Sequence, residues 1–475
     1  MSGMPAGRLL VDVSSLARWT GPPSGMIRVE SELLRAAPSF GRETLPVFFD
    51  PVMKRFRTLT PRWRELVLGW NGAIDTLGLD YRLRRRGWRR VVPSRHALVR
   101  RLERWRLLAR FPLEAALADL LRSALLAVRA HQTPVRDRDG ARISLVPYDL
   151  VLSTPVTVTS GDLLLSAASD WSRKDPDMLR DLREREGLTI VAVCYDILPI
   201  THPEYFPPSD VAMFGAFWDR MFGAVDTVIT NAESVRADIQ RHLGAIGGHV
   251  PDMAVVPLGA SPPAAPPWGA PPAGLMPGRY ALFVSTIEPR KNHALLLDVW
   301  QRLLARGVPQ LHGFKLVFAG RMGWMVEAVA RRLAEPGAFD GTVLHLSHLD
   351  DVALGALVAH AAFCLYPSHS EGFGLPVVEA FSYGKPVLAS CGGALAEVAR
   401  DLAPVLGPTD LDGWEAAIAD WIIHEDHRAA AAAHVRATYR PRVWADVARE
   451  MLAVAEQAAA RKVGARKVGA RKAGR

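Results

Sequence analysis

The chain has 475 residues, 49% hydrophobic and 23% charged, which fits a large globular protein of two or three domains, each able to bury a full core. Three cysteines, Cys194, Cys364 and Cys391, exclude a disulfide framework and a Cys-x-x-Cys metal site and point to a reducing cytoplasm. Of the net charge of +9, seven positive charges (Arg461, Lys462, Arg466, Lys467, Arg471, Lys472 and Arg475) lie in the last segment, so the rest of the chain carries only +2. The start, MSGMPAGRLLVDVSS, is too short and polar for a signal peptide, and no run reaches the roughly 18 apolar residues of a membrane span. A soluble or peripheral protein is expected.

In chain order, a buried strand over Leu9 to Val13, a turn-rich loop over Thr20 to Gly25 and an amphipathic helix from Met26 to Ala37 read as the start of an α/β unit. Residues 50 to 150 match no recognisable pattern. Within them, Arg82 to Arg110 holds twelve arginines with Trp88 and Trp105 and a single acid, Glu103. That composition suits a membrane interface or a solvated helix face. Asp137 and Asp139 form an Asp-x-Asp in the turn-like stretch VRDRDGAR, without the preceding buried strand that would present them to an ion, so no metal site is assigned.

Leu188 to Cys194 is a continuous apolar strand that delivers Tyr195 and Asp196 at its carboxyl end, where open α/β sheets bind ligands. His202 follows in the loop and reads as structural. VDTVITNAESVRADI, 225 to 239, reads as a strand and a helix capped near Asn231 or Ser234. Residues 260 to 278 carry seven prolines, a stiff spacer between domains.

A second α/β domain then opens with a strand over Tyr280 to Ser285, a loop with Arg290 and Lys291, and an amphipathic helix from His293 to Trp300. A cationic pair on such a loop meets the need of a leaving diphosphate, on whose oxygen negative charge builds. A strand in FKLVFAGRMGW leads to Gly320 and Arg321, and TVLHLSHLD is a further strand. Ala361 to Tyr366 is buried and runs into YPSHSEGFGLPVVEAFSYGKP, which puts Glu371 before a Gly-rich turn and Glu379 in the first turn of the following helix, with Pro376 as its first residue. The backbone amides of Gly372, Phe373, Gly374 and Leu375 are left free to meet an anion or a hydroxyl-rich ligand. Gly392 and Gly393 close the wall of the site, Pro441 to Gln457 forms a terminal helix, and the glycine-punctuated basic repeat of 460 to 475 reads as a disordered tail. No phosphate-cradling Gly-x-x-x-x-Gly-Lys-Ser/Thr loop or serine nucleophile elbow occurs, which argues against an ATPase or an esterase.

The segment 366 to 386 resembles the signature of family-4 retaining glycosyltransferases of the GT-B fold, whose Glu-x7-Glu motif is matched by Glu371 and Glu379. The Tyr195-Asp196 strand end is similar to that family's acceptor-domain His-Asp motif in the Tyr-Asp form found in its bacterial polysaccharide-assembly, mannosyltransferase-like branch. The resemblance covers residues 185 to 450 well and 8 to 40 loosely. It implies an α/β fold of two Rossmann-like, doubly wound domains facing a cleft, with a terminal helix crossing back to the first. The expected division is an acceptor-binding domain over 1–260 with a basic insert at about 80–140, a linker over 261–278, a nucleotide-sugar domain over 279–440, a terminal helix over 441–459 and a basic tail over 460–475.

By the same resemblance, Glu371, Arg290, Lys291 and Asp196 are the catalytic set. Glu371 lies by the donor sugar, Gly372 to Leu375 contact sugar hydroxyls and diphosphate, Glu379 binds the ribose, and Gly25 (with Arg28), Gly320 and Arg321 complete the donor site. Lys291 matches the family's lysine, whereas Thr286 stands where its arginine is often found, so Arg290 takes that role. The activity implied is metal-independent transfer of a hexose, by family branch mannose from GDP-mannose, to a saccharide or lipid-linked saccharide in surface polysaccharide (exopolysaccharide or O-antigen) synthesis. No cofactor beyond the nucleotide-sugar co-substrate and no specific nucleic acid are expected. The protein would be cytoplasmic, with an anionic membrane surface as a partner. The alternatives are a nucleotide-sugar epimerase of the same fold, and a non-catalytic protein that binds membrane surfaces through its basic segments.

Overall fold

The computed structural model describes residues 7–19, 25–69, 134–136, 142–144, 151–168, 170–260 and 269–473. The arginine run 82–110, Asp137 and Asp139, and loop positions 20–24 lie outside the described residues. The chain divides into two compact units, one ending at Leu188 and one beginning at Thr189.

The first unit contains β1 (Leu9–Asp12), β2 (Thr44–Asp50), β3 (Arg55–Leu59), a small hairpin of β4 (Pro134–Arg136) and β5 (Arg142–Ser144), β6 (Leu152–Pro155) and β7 (Leu163–Ser166). The order is β7-β1-β2-β3-β6, parallel at β1 and antiparallel at β3. The helix Gly25–Ala36 turns Ile27, Val29, Leu33 and Leu34 inward. The carboxyl end of β1 carries a buried ionic cluster. Lys174 Nζ lies 2.5 Å from Asp12 Oδ2 and 3.0 Å from Asp170 Oδ1, and Arg18 lies 3.3 Å from Asp170. Ser166 Oγ and Ser14 Oγ donate to the two Asp12 oxygens at 2.9 and 2.6 Å. Glu30, fully buried beside them, accepts from the Leu16 amide at 2.9 Å. Burial, then the charge of Asp12, push its carboxyl well above the usual range.

The second unit begins with β8 (Thr189–Cys194), β9 (Thr227–Thr230) and β10 (Asp252–Val255), parallel and in the order β10-β9-β8. The helix Glu233–Ile246 follows β9. Its N-cap is Ala232 without a side-chain cap, so neither Asn231 nor Ser234 fills that place; instead the Glu397 carboxylate accepts from the Glu233 and Ser234 amides at 3.0 and 3.2 Å. A carboxylate from a distant segment serves the same free amides and positive helix end.

Six further strands follow: β11 (Tyr280–Val284), β12 (Lys315–Ala319), β13 (Val343–Leu346), β14 (Phe363–Tyr366), β15 (Val387–Ser390) and β16 (Val405–Leu406). All are parallel, in the order β13-β12-β11-β14-β15-β16. β14 and β15 are buried throughout and read as unbroken apolar runs, as strands covered on both faces must. Trp300 and Trp414, fully buried, anchor helices against this sheet. Counted from β11, the order is 3-2-1-4-5-6, a doubly wound sheet whose winding reverses between β11 and β14, and ligands enter such sheets beyond the carboxyl ends of the strands at that reversal. The expected α/β class holds in both units, with parallel and antiparallel pairs mixed in the first and parallel pairs throughout the second.

The last helix, Trp444–Ala473, packs on β8 and β9, and its Arg461 and Lys462 pair with Asp252 and Asp226 at 3.2 and 2.9 Å. It continues through residues 460–473, where the sequence reading expects a disordered tail. Alanine, arginine and lysine are strong helix formers, and they carry the helix past Gly464 and Gly469. Among the described residues no helix is long and apolar enough to cross a membrane.

Candidate functional site

The loops after β11 and β14 are the two that flank the winding reversal. The first turns through a short helix, Pro289–Lys291, and a left-handed Asn292 (φ 61°), whose Nδ2 donates to the carbonyls of Pro367 and Pro408 at 3.1 and 2.7 Å. This ties the first loop to the second, and the His369 amide donates to the Arg290 carbonyl at 2.8 Å. Gly320 shapes the first loop from behind. With φ of 153°, it passes so close to Ser285 that a Cβ there would fall 2.0 Å from the Ser285 carbonyl oxygen. Gly320 is therefore a spacer, while the exposed Arg321 contributes its carbonyl to the Ile287 amide at 2.9 Å.

Glu371 is where these loops converge. Its Oε2 lies 2.6 Å from Arg290 Nη1, and its Oε1 lies 2.5 Å from Lys291 Nζ and accepts from Ser368 Oγ at 2.7 Å. Arg290 also reaches the Ser370 carbonyl and Glu288, both at 2.7 Å. Burial would raise the Glu371 carboxyl, but the adjacent Arg290 and Lys291 charges outweigh it and hold it at about 2. Burial raises Glu288 and Asp196 instead, against the pull of Arg290. The cluster thus joins two cations, Arg290 and Lys291, with the firmly ionised Glu371 and with Glu288 and Asp196, whose carboxyls burial raises. Burial, and then the neighbouring Arg290, lower the Lys291 pKa. His293, buried behind the loop against Phe283, is lowered by burial to about 3 and stays neutral.

Downstream of Glu371 the backbone does what an anion or sugar site requires. The amides of Gly372, Phe373, Gly374 and Leu375 donate no hydrogen bond among the described residues, and the helix Leu375–Ser382 begins directly behind them with Pro376 at its second position. Phe373 is itself buried. Glu379 sits in the second turn rather than the first. It lies by Tyr383, whose phenol is raised by burial and then by the Glu379 charge. The hydrogen bonds from Lys291, Arg290 and Ser368 gather on Glu371, not on Glu379.

Asp196 closes on this loop from β8. Its Oδ1 accepts from the Leu198 amide at 3.1 Å, and a Cβ on Gly372 would stand 2.7 Å from Asp196 Cβ and from the Tyr195 carbonyl oxygen. Only a glycine lets the two loops meet. Tyr205 stacks on His369 with ring centroids 4.9 Å apart and on His202 at 6.2 Å, and Trp324 Nε1–H donates to the Tyr205 carbonyl at 2.9 Å. The 202–206 loop therefore braces the segment that carries Glu371.

Arg290, Lys291, Glu371, Gly372 to Leu375 and Asp196 are thus brought together in the second unit, with Gly320 supporting the first loop. Gly25 and Arg28 belong to the first unit, where Gly25 opens its helix. Sequence reasoning missed Glu288, Ser368, Asn292, Tyr205 and His369. Of these, the Asn292 between a basic pair and a helix start and the Ser-His-Ser run before Glu371 were the available signals. Among the described residues no group of three or more His, Cys, Asp or Glu side chains is placed to hold a metal ion.

The family model described as glycosyl transferases group 1 matches residues 275–437, the stretch that carries Arg290, Lys291, Glu371 and Glu379. O-antigen chain mannosyltransferase B of Escherichia coli is 30% identical over 260 residues, 54% of this chain and 66% of that protein. The serotype-specific mannosyltransferase WbdA of Escherichia coli is 25% identical over 293 residues, which span 58% of this chain and 35% of that protein. Among solved structures, sucrose-phosphate synthase from Thermosynechococcus elongatus aligns with a TM-score of 0.47 at 17% identity, covering 62% of this chain and 73% of that one. Residues 275–437 are a glycosyl transferases group 1 domain.

Proposed function

We propose that the protein is a retaining glycosyltransferase of the GT-B type that moves mannose from GDP-mannose to a saccharide or lipid-linked saccharide during assembly of a surface polysaccharide. The observation that carries this reading is the seat of Glu371 between Arg290 and Lys291, beside four undonated backbone amides, at the winding reversal of a glycosyl transferases group 1 domain. The mannosyltransferase relatives support the choice of sugar.

In this reading Arg290 and Lys291 turn from Glu371 toward the diphosphate as the glycosidic bond to phosphate breaks, and they neutralise the charge that builds on the leaving oxygen. Glu371 and the amides of Gly372 to Leu375 hold the sugar, and Glu379 holds the ribose. Asp196 bounds the acceptor side. The acceptor hydroxyl attacks from the face the diphosphate leaves, its proton passes to the leaving phosphate oxygen, and the anomeric configuration is retained. A lipid-linked acceptor would bring the protein to the inner face of a membrane as a peripheral partner.

The donor is tested by thermal shift against GDP-, UDP- and dTDP-sugars. GDP-mannose is expected to raise the melting temperature most. A larger rise with a UDP- or dTDP-sugar would reassign the donor, and no rise with any nucleotide sugar would contradict the transferase reading.

A further inference from the structure

The opposite end of the six-stranded sheet holds a second cationic recess. Arg279 immediately precedes β11, and Ala361 and Ala362 immediately precede β14, so the recess opens at the amino ends of the strands whose carboxyl ends bear the Arg290 and Glu371 loops. Its volume is about 270 Å³, and the helix Glu425–Thr438 forms its other wall with Glu425, Arg428 and Ala432.

The charges in it do not balance. Arg428 is only 7% exposed, its Nη1 donates to the Trp421 carbonyl, and its guanidinium lies 5.5 Å from the centre of the Phe314 ring. Its carboxylate partner, Glu425, stands off at 3.6 Å from Nη2 with a side chain 74% exposed to solvent. Among the described residues the Arg279 guanidinium has no ion pair or hydrogen bond of its own, and its charge acts unfavourably on Arg428. Two guanidiniums therefore share a recess with one distant, water-screened carboxylate. A buried cation without a close counterion is costly, and guanidiniums are matched best by planar or tetrahedral oxyanions that accept several N–H bonds.

We propose that this recess binds a small phosphate-bearing anion, inorganic phosphate or a phosphomonoester, through Arg279 and Arg428, at a site separate from the Glu371 cluster. It does not depend on the transferase reading. The phosphate group is what is recognised, and the room beyond it accommodates a small body such as a single sugar ring.

The test is calorimetric titration of the full chain with inorganic phosphate and, separately, with a hexose monophosphate. The parent and Lys291→Ala are expected to bind alike, while Arg279→Gln weakens binding by about tenfold or more, roughly 1.4 kcal/mol. Arg279 is half-buried at a strand start, so its replacement keeps the fold where Arg428→Met risks losing it. Tighter binding of the hexose monophosphate assigns a sugar phosphate as the ligand, and equal binding assigns free phosphate. Undiminished affinity in Arg279→Gln, loss of binding in Lys291→Ala alone, or no heat up to about 10 mM anion would each overturn the proposal.

Discussion

Replacing Glu371 by glutamine removes the charge that Arg290 and Lys291 share while keeping the side chain's shape. A carboxyl held at about 2 instead of 4.5 prefers its ionised form by about 3 kcal/mol, and the folded state gains that amount wherever the unfolded chain is also ionised. The sign follows from the lowered value: the contribution is complete above 4.5 and is lost as pH falls toward 2. The variant should therefore be about 3 kcal/mol less stable at pH 7, the low end for breaking a buried pair, because Arg290 keeps Glu288 and the Ser370 carbonyl. The melting temperature should fall by about 6 to 12 °C and turnover by about a hundredfold or more. Urea denaturation of both proteins checks the linkage, with the stability gap at pH 3 about half that at pH 7. A variant as stable as the parent at pH 7, or a gap unchanged at pH 3, would refute the coupling of Glu371 to the two cations.

Three further perturbations probe the surroundings. Gly372→Ala should cut transfer by about a hundredfold while circular dichroism stays native, because the new methyl would meet Asp196 and Tyr195 at 2.7 Å; full activity would mean that these loops do not need to meet. Tyr205→Ala should lower kcat about tenfold by freeing His369 beside the Glu371 segment, whereas Tyr205→Phe keeps the ring and the rate; equal losses in both would assign the effect to the hydroxyl. In the first unit, Glu30→Gln should gain stability relative to the parent as pH rises above 4.5, because the unfolded chain ionises there while burial and the Asp12 charge disfavour the carboxylate in the fold, whereas Asp12→Asn, which breaks the pair with Lys174, should cost about 3 to 5 kcal/mol by chemical denaturation. Glu30's contribution is complete below 4.5 and is lost as pH rises from there through its folded value, so urea denaturation of the two proteins should show a gap that widens with pH, and a gap that does not change with pH would refute the burial of the Glu30 charge.

Much of the second unit's site was legible because its chemistry sits on loops with strong local signals. A buried run ending at Tyr366 and a glycine turn announced Glu371, and a strand followed by a basic pair announced Arg290 and Lys291. What the sequence does not print is which distant loops meet. Arg290 and Glu371 lie 81 residues apart, and only the doubly wound strand order brings their loops side by side. The Glu397 cap, 164 residues from the amide it serves, was hidden for the same reason, and local capping preference favoured Asn231 or Ser234. The ionic cluster of Asp12, Lys174 and Asp170 had one faint signal, an acid closing the apolar strand LLVD. Its partners arrive from segments with no motif of their own. The terminal helix overran the expected tail because glycine and like charge were weighed above the helix-forming alanine, arginine and lysine around them.

The central claim is tested most directly by incubating the protein with labelled GDP-α-mannose and a mannose-containing saccharide acceptor in excess EDTA, and reading the anomeric configuration of the product by NMR. The account predicts transfer that persists under chelation and yields an α-linked mannose. Transfer with a β-linked product, loss of activity restored only by Mg²⁺ or Mn²⁺, or epimerised nucleotide sugar formed without any acceptor would contradict it.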